Sequence, residues 1–210
     1  MARDINAKCR KCRRSKEKLF LKGDRCATPK CALVRRAYGP GVHGKKGSRN
    51  QSEYGTQLAV KQKIKRIYGV LEDQFRHHFD EVKNKSGMTG DLLISRLERR
   101  LDNVVYRIGW AASRAQARQL VNHGLIAVNG KKVDIPSFEV KLGHVVSINK
   151  SKAEKTYFKN LEQFIKNKKD FPKWINFDKT KLEGTVTGNP ERDDIGINVD
   201  AQVVVEYYSR

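Results

Sequence analysis

The placement of the four cysteines constrains the fold of this chain more than any other feature of its sequence. All four fall within the first 31 of 210 residues, as the pairs Cys9 and Cys12 and Cys26 and Cys31. Two residues separate the members of the first pair, so one turn can direct both thiolates at one ion, and the second pair can complete a tetrahedron. Zinc is the usual metal of such an all-cysteine structural site. We therefore expect one structural Zn²⁺ in a knuckle.

Two other uses of four cysteines remain as alternatives. Two disulfides are uncommon in a cytosolic chain, and an iron–sulfur cluster is also held by four thiolates. The surrounding sequence favours a structural metal, because a strongly basic segment has little apolar material to bury and metal binding can supply folding free energy instead.

The charge of the chain is large and unevenly distributed. Lys and Arg number 44 against 23 Asp and Glu, which gives a formal net charge of +21. Residues 1–50 carry 16 basic and 3 acidic groups, whereas residues 151–210 carry 11 and 10. An excess of this size favours an anionic partner, and nucleic acid is the first candidate. A merely solvated basic tail is the alternative.

Membrane and secretion signals are not apparent in the sequence. No stretch approaches the roughly 20 apolar residues that a membrane helix needs. Residues 1–14 lack the apolar segment of a signal peptide. We therefore expect a cytoplasmic protein with no membrane partner.

The first half of the chain is expected to pass from irregular to helical structure. Residues 1–50 contain several Gly and Pro turn signals and little helical periodicity, so we expect a loop-rich arm there. From Leu58 to Val82 apolar residues recur at helical spacing, which predicts two helices joined near Gly69 or one kinked helix. Apolar residues between Leu93 and Ile108 then trace one helix face.

The second half mixes helices with short strands. Ser113 and Gln116 have capping-box spacing, which predicts a helix of about ten residues that ends at Gly124. Two short strands in residues 125–133 should form a hairpin, because Asn129-Gly130 suits a type I′ turn. We expect a further strand at residues 145–148, a helix at 156–165, and a strand or extended segment at 203–207.

Two basic regions have the composition of RNA contacts. Residues 35–46 combine cations with glycines and with Tyr38, which could stack on a base. Arg114 and Arg118 stand one turn apart on the capped helix, and Lys131 and Lys132 extend the basic surface over the hairpin.

These motifs resemble a known family. The segments 100–107, 113–124, 128–130 and 135–137, which read RLDNVVYR, SRAQARQLVNHG, VNG and IPS, are similar to the S4 RNA-binding module. Residues 38–44 (YGPGVHG), 54–63, 71–76 and 205–210 (VEYYSR) resemble the rest of the bacterial S4 family of small-subunit ribosomal proteins. The resemblance covers nearly the whole chain, and a subset of the family has cysteines at this spacing.

The resemblance implies an α+β fold. Residues 1–44 would form a basic arm with the four-cysteine zinc knuckle. Residues 45–95 would form a helical domain that residues 181–210 complete. Residues 96–180 would hold the inserted S4-type module, which has two helices and a small antiparallel sheet of the αL type, followed by a helix.

The resemblance also implies a function. The chain would be a structural part of the 30S subunit that binds a 16S rRNA junction, nucleates assembly of the subunit body and contributes to translational accuracy. Its partners would be 16S rRNA and neighbouring small-subunit proteins, with mRNA near the entry channel as a further candidate, and no homo-oligomer would be needed.

The charge pattern and the resemblance together give a set of candidate RNA contacts. In the arm and at its end these are Arg10, Lys11, Arg13, Arg14, Arg35, Arg36, Tyr38, His43, Lys45, Lys46 and Arg49. In the helical domain they are Tyr54, Gln57, Lys61 and Lys63. In the module they are Arg96, Arg100, Arg107, Ser113, Arg114, Arg118, Gln119, His123, Asn129, Lys131 and Lys132.

An enzyme is not expected, although the S4 module also occurs in RNA-modifying enzymes. The sequence has no phosphate-cradling Gly-Lys-Ser/Thr loop, dinucleotide fingerprint, His-Glu-x-x-His site or nucleophile elbow. The adjacent acids Asp193 and Asp194 lie in a polar stretch without an evident cleft. A DNA-binding regulator would need a recognition helix and a dimer seam, which are not apparent.

Overall fold

The computed structural model describes residues 4–46, 51–158, 171–191, 196 and 199–210. The chain divides into two compact units. The first unit comprises Met1–Ile94 with Ile197–Arg210, and the second comprises Ser95–Gly196. The expected arm and helical domain thus belong to one unit, which differs from the predicted division at residue 44.

The N-terminal segment of the first unit is more helical than predicted. It contains α1 (Lys8–Ser15) and α2 (Ala32–Arg35), with single 3₁₀ turns at Gly23–Cys26 and Val42–Lys45. The expectation of irregular structure was therefore wrong for α1. A helix this short depends on packing more than on propensity, and α1 packs against α2 and α3 (Glu53–Tyr68).

The two helices expected around Gly69 are confirmed. Ser52 caps α3 by accepting a hydrogen bond from the Gly55 amide at 3.2 Å. Gly69 ends α3 in the left-handed conformation, with φ of 67°. The next helix, α4 (Glu72–Asp80), buries Phe75 and Phe79.

The end of the chain is helical, so the expected strand at residues 203–207 was wrong. Gln202–Tyr208 forms α8, the last helix, which packs on α3 with Val204 fully buried. The Val and Tyr residues favour a strand intrinsically. Packing on α3 favours a helix instead. Val204 is fully buried, and one turn later Lys61 Nζ of α3 lies 5.4 Å from the Tyr208 ring centroid.

Three helices follow the first unit's α4. These are α5 (Thr89–Glu98), which contains the unit boundary, α6 (Leu101–Ile108) and α7 (Arg114–Asn122). The predicted apolar face is confirmed, since Leu93, Leu97 and Ile108 are fully buried. The chain leaves helical geometry at Arg100, which has ψ of 137° and pairs with Glu139 in an isolated β-bridge.

The capping prediction for α7 is confirmed. Ser113 Oγ accepts from the Gln116 amide at 3.3 Å, and Gln116 Oε1 accepts from the Ala112 amide at 2.9 Å. Gly124, with φ of 63°, follows the end of the helix.

The second unit also contains an antiparallel sheet of five strands in the described residues. Their order is β2-β1-β3-β5-β4, and the strands are β1 (Ile126–Val128), β2 (Lys131–Lys132), β3 (Val145–Ile148), β4 (Ile175–Asp178) and β5 (Glu183–Val186). The hairpin and its turn are confirmed, since Asn129 and Gly130 have φ of 50° and 77°. The α+β class is confirmed.

Strands β4 and β5 were missed by the sequence analysis. β5 pairs with both β3 and β4 of the second unit, which corrects the assignment of residues 183–186 to the segment 181–210 that completes the helical domain. Gly184 interrupts the apolar pattern of β5 and weakens its sequence signal. The structure nevertheless needs a residue without a side chain there, because a Cβ would meet Ile108 Cδ1 at 2.7 Å.

The predicted helix at residues 156–165 is only partly within the described residues, because residues 159–165 lie outside them. Among the described residues, no helix combines the length and apolar character needed to cross a membrane.

Candidate nucleic-acid interface

The four cysteines converge on one cavity of the first unit. Cys9 and Cys12 lie on α1, Cys26 ends a 3₁₀ turn and Cys31 precedes α2. All four thiols are free and line this cavity together with Leu21 and other residues. Two disulfides are therefore not formed.

The chemistry of the four donors suits zinc, because thiolates are its preferred ligands in closed structural sites. Burial raises the pKa of the Cys12 thiol, and the nearby Cys26, Cys9 and Cys31 raise it further. Within the described residues, however, no three His, Cys, Asp or Glu side chains are placed as a metal-ligating group. Holding an ion would require the thiols to draw closer together.

Some cations of α1 are exposed, and others are paired with groups of the same chain. Arg10 and Arg14 are exposed. Lys11 is paired with Asp4, and burial, together with the nearby Arg66 and Lys65, lowers its pKa.

Arg13 holds the segment that follows the cysteines. Its Nε and Nη2 atoms donate to the carbonyl oxygens of Tyr38 and Gly39, both at 2.9 Å. Its guanidinium lies 5.0 Å from the Tyr38 ring centroid, and Lys45 Nζ lies 5.7 Å from that centroid. Tyr38, predicted to stack on a base, is therefore half-buried between cations of the same chain.

The exposed part of this segment remains strongly basic. Arg35, Arg36, His43, Lys45 and Lys46 are exposed. Arg49 lies outside the described residues.

The candidates on α3 contact protein groups more than solvent. Gln57 and Lys61 are each only 4% exposed, which corrects their assignment as RNA contacts. Gln57 Nε2 donates to Glu53 and Glu206 at 3.3 Å, and Lys61 pairs with Glu72. Side chains that are already desolvated and paired are not available to RNA phosphates.

The other two candidates on α3 are more accessible. Lys63 Nζ lies 2.6 Å from Glu17 Oε2. Tyr54 is half-exposed, and its hydroxyl lies 3.3 Å from that of Tyr207. Tyr54 therefore keeps a ring face that could contact a base.

The arginines of the module are gathered in an internal network rather than displayed on a helix face. Arg100 is 3% exposed and donates to both carboxylate oxygens of Asp102, at 3.1 and 2.9 Å. Arg118 is 9% exposed and donates to Asp102 at 3.3 Å. The prediction that Arg100 and Arg118 contact phosphates is therefore corrected, because both guanidinium groups are buried against one carboxylate.

The other three arginines predicted as RNA contacts in the module are partly exposed. Arg107 pairs with Glu98, Arg96 lies 3.6 Å from Glu139, and the side chain of Arg114 is 15% exposed. Sequence reasoning missed Glu98 and the other acceptors of the network. The sequence did offer a clue, because an acid within an otherwise apolar helix face is expected to be buried and paired with a cation.

The hairpin and the end of α7 present the exposed candidates of the second unit. Gln119, His123, Lys131 and Lys132 are exposed there. Asn129 is also exposed, but its Oδ1 accepts from the Val145 amide at 2.8 Å, so this atom serves the turn. The interface that the structure supports is therefore the exposed cations of residues 10–46 and of the hairpin, each on its own unit.

Comparison with known proteins extends these observations. Residues 3–98 match the ribosomal protein S4/S9 N-terminal domain, and residues 99–146 match the S4 domain. The chain is 49% identical to small ribosomal subunit protein uS4 of Syntrophomonas wolfei and 50% identical to uS4 of Clostridioides difficile, in both cases over the full length of both chains. It is 51% identical to uS4A of Clostridium perfringens, again over both full chains. The chain therefore belongs to the uS4 family of small ribosomal subunit proteins.

Proposed function

We propose that this chain is a structural constituent of the small ribosomal subunit, located in cytoplasmic ribosomes, and that it binds 16S rRNA directly. The observation that carries the proposal is the full-length similarity to uS4 proteins at about half identity. The excess of 21 positive charges supports it independently, because such a protein needs an anionic partner to neutralise it.

The exposed cations supply most of the binding free energy in this proposal. Lys and Arg side chains that contact phosphates release condensed counterions, which gives affinity that depends on salt. Arg35, Arg36 and the hairpin residues Lys131 and Lys132 are exposed and can do this without breaking an internal contact of the core. Selectivity for rRNA then comes from shape, because folded RNA presents phosphate ridges at many angles.

The proposed role is structural and not catalytic. Burial would raise the pKa of Glu72, but Lys61 and Lys65 lower it and hold the carboxylate as an ion pair between α3 and α4. Asp193 and Asp194, the acids considered for catalysis, lie outside the described residues.

We further propose a target site in the rRNA, a role in assembly and accuracy, and further partners. The rRNA target would be a junction of several helices, and binding there would nucleate assembly of the subunit body and contribute to translational accuracy. Neighbouring small-subunit proteins, and mRNA near the entry channel, would be further partners.

A salt series of filter-binding titrations tests the rRNA proposal. The full chain is titrated with 16S rRNA and with an unrelated structured RNA of equal length. We expect affinity for 16S rRNA to survive physiological salt, whereas binding of the unrelated RNA falls steeply. Equal, salt-sensitive binding to both RNAs would show a basic protein without the proposed target.

A pair of matched variants locates the contacts. The double variant Arg35→Ala with Arg36→Ala should lose about two phosphate contacts. The slope of log binding constant against log salt concentration should become shallower by about two. The control is Lys83→Ala with Lys85→Ala, which removes the same charge from exposed residues outside the candidate set. If both pairs change the slope equally, net charge and not a defined surface governs binding.

The four-cysteine cavity supports a second proposal, that one structural zinc ion stabilises residues 1–44. Cys9, Cys12, Cys26 and Cys31 would hold it. A closed thiolate site supplies folding free energy and no chemistry. The free thiols and their common cavity support this proposal.

Elemental analysis of the native protein tests the zinc proposal. We expect one zinc per chain, and loss of that zinc in Cys26→Ser. A chelator should increase trypsin cleavage within residues 1–44. Iron with visible absorbance would favour the cluster, and a metal-free protein with an equally resistant segment would overturn the proposal.

A further inference from the structure

Glu98 is a carboxylate buried completely within the second unit. It ends α5, and its relative exposure is 0%. A buried charge is costly unless it is paired and hydrogen-bonded. The partners of Glu98 therefore show why the fold retains an acid at this position.

Three donor atoms from two residues bind the Glu98 carboxylate. Arg107 binds it with two parallel hydrogen bonds, from Nε to Oε2 at 2.8 Å and from Nη2 to Oε1 at 2.7 Å. Asn103 Nδ2 donates to Oε2 at 2.7 Å. A two-bond fork fixes the plane and the direction of a guanidinium, which a single bond does not.

Arg114 is held by the same group of residues. Its Nε donates to Asn103 Oδ1 at 2.7 Å, and its Nη2 lies 3.8 Å from Glu98 Oε1. Its guanidinium carbon lies 4.5 Å from the centroid of the Tyr106 ring. Asn103 is thus oriented by Glu98 and in turn orients Arg114.

The cluster contains two groups of ion pairs. Within the described residues, Arg107 and Arg114 lie at Glu98, and Arg100 and Arg118 lie at Asp102. Stability alone would often favour apolar side chains here, because buried ion pairs contribute little. The side chains of Arg107 and Arg114 are 17% and 15% exposed, so part of each reaches solvent.

We infer that Glu98 is a positioning residue for rRNA binding, which acts through Arg107 and Arg114 by fixing their guanidinium groups for contact with phosphate. This inference rests on the proposed rRNA-binding function. A long arginine normally loses rotamer freedom when it binds, and ordering it beforehand reduces that entropic cost. The benefit applies only to an RNA whose phosphates match the fixed geometry, so Glu98 contributes to selectivity.

The variant Glu98→Gln separates orientation from charge. It keeps the size of the side chain, but it removes the negative charge and the acceptor of one Arg107 hydrogen bond. We expect affinity for 16S rRNA to fall about tenfold, the usual scale for one lost arginine fork. Affinity for an unrelated structured RNA should not fall, because the cluster becomes more positive.

The matched control is Glu154→Gln, which makes the same charge change at an exposed acid of the second unit outside the cluster. We expect it to leave the ratio of the two affinities unchanged. If Glu98→Gln raises both affinities like the control, only net charge matters and the inference is wrong. If it lowers both in proportion to lost thermal stability, Glu98 is merely structural.

A second variant covers the case in which Glu98→Gln does not fold. Arg107→Lys keeps the charge and leaves Glu98 with a cation, but it removes the planar fork. We expect the preference for 16S rRNA to fall while binding of the unrelated RNA is unchanged, and an unchanged preference would overturn the inference. A wild-type chain without any preference for 16S rRNA would instead contradict the proposed function itself.

Discussion

Lys65 Nζ lies 2.8 Å from Glu72 Oε2 and so joins α3 to the start of α4. Burial alone would raise the pKa of Glu72, but hydrogen bonds from Lys61 and Lys65 outweigh it and lower that pKa from 4.5 to about 2. Tyr208 of α8 also donates to Glu72, at 3.0 Å. One carboxylate therefore connects three helices of the first unit.

The stability of the first unit should depend on pH through Glu72. A lowered folded-state pKa contributes stability that is fully present above pH 4.5 and is lost as the pH falls toward about 2. The contribution should be about 1 kcal/mol, because the Glu72 side chain is partly exposed and its ion pairs are screened by solvent. Urea unfolding of wild type and Glu72→Gln between pH 2 and pH 6 measures it. A difference between the two proteins that stays constant across this range would contradict the assignment.

Gly184→Ala should destabilise the second unit. The new Cβ would lie 2.7 Å from Ile108 Cδ1, in a core where Ile108 is fully buried. Overpacking of this kind costs about 1–3 kcal/mol. Denaturant unfolding measures the loss, with Gly188→Ala as control, since its Cβ would make an ordinary 3.7 Å contact with Trp174. Adding Ile108→Val removes the clashing methyl group, so the double variant should be more stable than the sum of the single effects predicts.

Gly44→Ala should open the loop of residues 39–44. A Cβ at Gly44 would lie 2.0 Å from the Gly39 carbonyl oxygen, and backbone cannot move aside as a flexible side chain can. We expect faster trypsin cleavage at Lys45 and Lys46 with little change in the melting temperature, because these residues are exposed. The control is Gly39→Ala, whose Cβ would meet Gly44 only at 3.9 Å. Equal cleavage of the two variants would show that the close approach is unimportant.

Substitutions at Asn129 should rank by backbone conformation and by the side-chain acceptor. Asn129 has φ of 50°, and its Oδ1 accepts from the Val145 amide at 2.8 Å. Asn129→Ala strains the turn and loses the acceptor, at a cost of about 1–2 kcal/mol. Asn129→Gly should cost less because it tolerates positive φ. Asn129→Asp should cost least, and thermal unfolding that ranks Ala above Gly would exclude a role for backbone strain.

Local patterns were sufficient for several elements of the fold. Gly69 as the end of α3, Ser113 as the cap of α7 and the Asn129-Gly130 turn depend on interactions within a few residues, and the structure confirms all three. α8 was wrongly predicted because its valines and tyrosines favour strands, whereas its packing partner α3 lies about 140 residues earlier in the sequence. Burial against α3 outweighed intrinsic propensity.

The candidate interface was predictable in composition but not in detail. Arg35, Arg36, Lys131 and Lys132 are exposed, as the charge pattern suggests. Lys61, Arg100 and Arg118 have the same side-chain chemistry but are buried against carboxylates. Sequence spacing places cations on helix faces, but it does not show which acid of another segment will bind them.

Residue order alone was enough to identify the family, the basic character of the chain, the clustering of its cysteines near the N-terminus and the local turns and caps. These depend on composition and on contacts between neighbouring residues, which are written directly in the order of the chain. Two features became clear only in the folded chain: β5 lies between β3 and β4, and four arginines lie against Glu98 and Asp102. The reason is physical. A buried charge or polar group is costly without a partner, so burial decides which side chains must pair. Which residues are buried depends on segments distant in sequence.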